Sequence, residues 1–166
     1  MFDGMQLEER DQESSVRSTD GPTEEGPALR DASAAAARTA RDEAEADATR
    51  ALLADGRPPA VAPDDRIRPH LADGEQLHGL RSSAILKSPG DDRALGHGGT
   101  LYLTSSRLVH LGQVMMTVQL ADIREISVAA GRLLIELRGG EGFTIDIDRP
   151  RVFRTEIAAA MRGIRP

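Results

Sequence analysis

The sequence predicts a mainly β domain: a seven-stranded antiparallel sheet curled into an open barrel, closed by one C-terminal helix and preceded by an acidic arm. Three observations carry this. Short segments between residues 71 and 148 alternate apolar and polar side chains at period two. Glycine-bearing reversals separate those segments. Beyond residue 149 the apolar positions recur instead at steps of three and four, as on one face of a helix.

The arm differs from the rest in charge and composition. Residues 1–65 hold seven arginines against sixteen acids, a net of −9, whereas residues 66–166 carry a net of +3. Phe2 is the arm's only aromatic, and Val16 and Val61 are its only β-branched apolar residues. So little apolar area cannot offset a backbone ordering cost of about 1–2 kcal/mol per residue, so residues 1–69 are expected to be mostly disordered. Residues 28–54 are a local exception, rich in alanine with arginine and glutamate between, and they predict a solvated, partly formed helix ended by Gly56, Pro58 and Pro59. Residues 55–69, spaced by Pro58, Pro59, Pro63 and Pro69, read as an extended linker, which places the domain at residues 70–166.

Within the domain, strands are expected at 75–87, 99–104, 107–111, 114–120, 123–129, 132–138 and 142–148. Leu133, Ile135 and Leu137 alternate with Leu134, Glu136 and Arg138; Phe143, Ile145 and Ile147 alternate with Thr144, Asp146 and Asp148. Each set gives one inward apolar face and one mostly polar face, as an antiparallel sheet with a solvated side requires. Gly139-Gly140-Glu141-Gly142, Ala130-Gly131 and Gly112-Gln113 sit at the reversals. Asp148 is the expected cap of the final helix and Pro150 fits its first turn. Val152, Phe153, Ile157, Ala160, Met161 and Ile164 form its stripe.

Several of these residues resemble the GRAM and bacterial pleckstrin-homology-like domains over residues 71–164. Leu71-Ala72-Asp73-Gly74-Glu75 is similar to the family's opening element, Gly99-Thr100-Leu101-Tyr102-Leu103-Thr104 with Arg107-Leu108-Val109 to its second and third strands, and Val118-Gln119-Leu120-Ala121-Asp122-Ile123 to the passage from the fourth strand to the fifth. His110 and the methionine-rich Val114-Met115-Met116 depart from the pattern. The resemblance implies a binding or scaffolding module for protein partners or lipid headgroups. For a phosphoinositide it implies a lysine early in the first loop, which Lys87 supplies, and a basic pair on the second strand, which residues 100–104 lack; Arg93 and His97 are the substitutes, beside the repelling Asp91 and Asp92.

The chain offers no set for catalysis. With no cysteine, thiolate chemistry and Cys-based zinc sites are excluded. His70, His78, His97 and His110 fall at spacings that match no metal set, so no metal and no cofactor are expected. Gly96 to Gly99 precedes a strand, whereas nucleotide loops open a helix. Ser82-Ser83 and Ser105-Ser106 lack a nucleophile-elbow setting, and Asp146 with Asp148 read as edge charge and cap rather than an acid–base pair. A net of +3 with few aromatics argues against nucleic acid.

What remains is a basic face on the last helix, Arg149, Arg151, Arg154, Arg162 and Arg165, suited to an acidic protein partner or an anionic membrane surface. The reading from sequence is therefore a non-catalytic module that binds a protein partner or itself, with peripheral recognition of anionic lipid as the alternative and the acidic arm masking the basic face in cis. The acidic start lacks the basic and apolar parts of a secretory signal, so a cytoplasmic location is expected, with any membrane contact peripheral at the inner face.

Overall fold

A computed structural model describes residues 27–88 and 98–164. Helix α1 (Pro27–Leu52) is followed by seven strands, β1 (Leu77–Lys87), β2 (Gly99–Thr104), β3 (Arg107–Leu111), β4 (Met116–Gln119), β5 (Ile123–Ala129), β6 (Arg132–Leu137) and β7 (Gly142–Asp146), and then by α2 (Pro150–Arg162). All pairings are antiparallel, in the order β4-β3-β2-β1-β7-β6-β5, which leaves β4 and β5 at the two edges. Each strand falls within a residue or two of its expected span.

Strand β1 turns the corner between the two halves of the sheet. Its first part pairs with β2 and its last three residues, Ile85 to Lys87, pair with β7. The register shifts between Arg81 and Ala84, and Ser83 takes φ 57° there, so a bulge bends the strand where it changes partner. At the other turns, Ala130 and Gly131 both take positive φ between β5 and β6, as a tight hairpin demands, and Gly140 does so between β6 and β7.

The main core lies between the curled sheet and α2. Leu86, Leu101, Leu103, Leu108, Ile123, Leu133 and Ile145 from the strands meet Phe153, Ile157 and Ala160 from the helix. The stripe predicted for residues 152–164 thus closes the barrel as expected.

A second cluster on the other face of β1–β3 was not expected. Ile67, Leu77, Tyr102, Val109 and Leu111 are buried there beneath residues 61–71. The stretch expected to be an extended linker is tied down: Val61 N–H donates to Leu77 O at 2.8 Å, and Tyr102 Oη donates to Asp64 at 2.9 Å. Asp64 also accepts from Ile67 N–H and Arg66 N–H, which lowers its carboxyl below the usual range. One isoleucine and one turn-forming aspartate fasten the strap, a pattern with no periodicity to read.

Helix α1 begins and ends close to the span expected for it, but it is not solvated all round. Asp42, Ala46 and Leu53 are buried against α2, so the arm's helix is part of the packed structure. The remainder of the expected disorder, residues 1–26, lies outside the described residues.

Candidate functional site

The expected cap of α2 is corrected by the structure. Arg149 occupies the cap position with φ 50° and ψ 60°, and no side chain of its own neighbourhood closes the helix end. Asp148 instead pairs with Arg149 Nε at 3.2 Å. The free amide groups are met from α1: Asp42 accepts from Arg151 N–H at 3.0 Å and Val152 N–H at 3.2 Å, with Glu45 on Arg149 at 3.1 Å. A carboxylate against a helix N-terminus is favoured by the helix dipole as well as by these two bonds. Asp42→Ala should therefore cost about 1–2 kcal/mol in chemical denaturation, with Asp42→Asn losing less, because the cap and the α1 anchor go together.

The expected basic face divides in two. Arg149 and Arg151 are neutralised by α1, Arg151 lying 3.7 Å from Asp42 and Arg149 paired to Glu45, which raises the Arg149 guanidinium further above its ordinary range. Arg154 and Arg162 turn elsewhere and bond backbone carbonyls only, Arg154 to Ile126 O at 3.0 Å and Arg162 to Leu53 O at 2.5 Å. Arg165 lies outside the described residues.

Lys87 is not a free loop cation. Its Nζ sits 2.7 Å from Asp146, on the diagonal across β1 and β7, and Arg132 holds the other carboxylate oxygen of Asp146 at 2.8 Å. Arg93 and His97 fall outside the described residues. His110 is buried, its ring nitrogens 3.0 Å from Val114 O and 3.2 Å from Ala84 O, and it fills space that Gly99 and Gly112 leave open. A Cβ on Gly99 would collide with that ring and with Leu111 O, which accounts for glycine at this position. Among the described residues no group of three or more His, Asp or Glu is placed to hold a metal.

The arrangement that stands out is the groove between β5 and α2, about 510 Å³ in volume. Its floor is apolar, formed by Leu120, Ile123, Ile126, Ala158, Met161 and Ile164. Its rim carries Glu125 and, besides Arg154 and Arg162, Arg138, whose Nε bonds only a carbonyl, Ala121 O at 2.8 Å. Arg124 is paired with Glu136 at 3.0 Å. Among the described residues, three rim arginines thus keep their charge without a carboxylate partner. The groove borders an edge strand, and Ile126 O on that edge is met by an arginine side chain rather than by another strand. Sequence reading missed Arg138 because it sits at the end of a strand whose charges read as ordinary solvated ones.

The seven antiparallel strands, their order and the terminal helix give a pleckstrin-homology-like fold. No family model matches the chain, and no curated protein matches it. Among solved structures it is similar to the Vps36 N-terminal PH domain, at 18% identity and a TM-score of 0.47, with 57% of this chain and 84% of that chain covered. It is also similar to the C-terminal domain of an unknown protein from Leishmania infantum, at 16% identity and a TM-score of 0.45, with 58% of this chain and 93% of that chain covered.

Proposed function

We propose that this chain is a non-catalytic binding module of the GRAM or bacterial pleckstrin-like kind, and that its β5–α2 groove takes an extended acidic segment of a protein partner. The observation that carries this is the meeting, in one groove, of an open strand edge, an apolar floor and three arginines bonded only to carbonyls. An added strand gains main-chain hydrogen bonds from the edge, side-chain specificity from the floor, and long-range attraction from the rim. The non-catalytic reading is supported by the carboxylates themselves. Asp64 and Glu75, whose protonation is displaced most clearly, are occupied by structural hydrogen bonds.

Recognition of anionic lipid has less support. Lys87 is bound to Asp146 and Arg149 to Glu45, so of the cations expected for a headgroup these two are already paired, and the arginines that are not, Arg138, Arg154 and Arg162, surround an apolar groove beside a strand edge. No helix among the described residues is long and apolar enough to cross a membrane.

The test is titration with a short synthetic peptide alternating leucine and glutamate, against its leucine–lysine counterpart. The acidic peptide should shift the amide signals of residues 123–129 and 158–164, and the basic one should not. The double substitution Arg138→Glu, Arg154→Glu should weaken binding about tenfold or more while leaving the unfolding transition in place. Equal binding of both peptides, or shifts confined to the other edge at β4, would overturn the reading.

A further inference from the structure

Strand β4 ends the sheet on the side away from β5, and its edge is built differently from that of β5. We infer that this edge is a self-association surface, on which a second copy of the chain adds its own β4 antiparallel about a twofold axis through Thr117. The inference does not depend on the groove reading above.

The backbone fixes which groups are free. Leu120 N–H donates to Ser106 O at 2.9 Å, and the register runs without a shift from Arg107 opposite Gln119 to His110 opposite Met116. Main-chain groups alternate sides along a strand, so Leu120, Val118 and Met116 turn theirs to β3, whereas Thr117 and Gln119 turn N–H and C=O outward. Among the described residues no strand meets them there. The side chains of Met115, Thr117 and Gln119 are exposed beside this edge, while Val118 is buried in the main core with Met116 packed against it. Val114 and Met115, where the chain enters β4, are large apolar residues left 47% and 55% exposed.

The two edges differ in what they admit. Strand β5 has a register shift between Ile123 and Glu125, carries Arg124 and Glu125, and has Ile126 O occupied by Arg154. Irregularity and charge of this kind turn away an uncharged strand. Strand β4 has neither. Residues 108–121 contain no Asp, Glu, Lys or Arg, and His110, their one titratable side chain, is buried.

That neutrality selects the occupant. The chain carries a net charge of −6, so two copies repel where their charged surfaces meet. An uncharged strand is a place where an identical strand approaches with no like charges opposed, whereas a charged partner finds nothing there to attract it. Identity also sets the geometry. With the outward groups of both strands facing, antiparallel pairing about Thr117 puts Thr117 opposite Thr117 and Met115 opposite Gln119, and the assembly closes after two copies. Threonine opposite threonine is a favourable cross-strand pair, and Met116 of each copy comes beside Val118 of the other on the core side. Strand β4 spans only Met116–Gln119, so the dimer is weak, with a dissociation constant on the order of 10–100 µM.

Sedimentation velocity of the full chain between about 5 µM and about 1 mM tests this, beside Thr117→Lys and Thr117→Pro. The lysine opposes two cations across the axis. The proline removes an outward N–H that β3 does not use, a change that an edge strand tolerates. The wild type should pass from monomer to dimer over this range, and each variant should need about tenfold higher concentration or more, with the thermal transition of the dilute protein in place. Hydrogen exchange then locates the contact. The amides of Thr117 and Gln119 should slow as concentration rises, while that of Val118, turned to β3, should not change. A chain that stays monomeric throughout, or a dimer that forms equally well with Thr117→Lys, would overturn the inference. Protection of Thr117 and Gln119 in the dilute monomer would overturn it as well, since the edge would then be covered from within one chain.

Discussion

Glu75→Ala is expected to cost about 3–5 kcal/mol of folding free energy, because it removes the centre of a network and strands its partners. The Glu75 carboxylate accepts from Ala72 N–H at 2.9 Å, Thr104 Oγ1 at 2.6 Å, Ser106 Oγ at 2.7 Å, and Arg107 through Nε at 2.9 Å and Nη2 at 2.7 Å. Burial by itself would raise this carboxyl. The Arg107 fork and the other donors outweigh burial and lower it from 4.5 to about 2. Because the folded value is the depressed one, the stabilisation is complete above about pH 4.5 and is lost as pH falls towards 2, amounting to at most about 3 kcal/mol. Denaturant midpoints at neutral pH should therefore separate wild type from Glu75→Gln by a wide margin that narrows steadily on acidification. A margin independent of pH would show that the carboxylate's charge contributes nothing.

That network also joins two distant stretches of the sequence. Gly74-Glu75 and Thr104-Ser105-Ser106-Arg107 are the two halves of one structural lock, completed by Ser105 N–H on Gln76 O at 2.8 Å and Gln76 N–H on Ser105 Oγ. The strands were legible because burial of one face writes a period of two, and α2 because its stripe writes three and four. The strap over the second face left a weaker trace. Leu101-Tyr102-Leu103 and Leu108-Val109 are apolar on both faces, the mark of strands covered on both sides, and both strands are buried almost throughout. What covered them was not readable, since Ile67 stands alone among charges and prolines. The site was legible only in part for a similar reason. Net charge pointed to arginines on the last helix, but partnering depends on register and on a helix distant in sequence. Nothing local distinguishes Asp42, which caps α2, from the acids around it on α1, or reveals that Lys87 lies diagonally across from Asp146.

Phe153→Ala should produce the other large loss, about 3–5 kcal/mol, by opening a cavity where α2 seats on the sheet. Phe153 is fully buried in the main core, and the Arg81 guanidinium stands 4.7 Å from its ring centroid while bonding Glu156 at 2.9 Å. Truncation removes both the apolar contact and the ring face under a partly buried cation, so the loss should exceed that of Phe153→Leu, which retains most of the volume. At about 4–8 °C per kcal/mol for a domain of this size, the melting temperature should fall by tens of degrees. Hydrogen exchange gives the sharper reading: the amides of Ala158 to Met161 and those of β5 should lose protection together, because the same helix forms one wall of the groove and the lid of the core. Loss of protection in α2 alone, with β5 unchanged, would mean that the helix can leave without opening the sheet, and the groove would then be a surface that assembles and disperses with α2 rather than a fixed feature of the barrel.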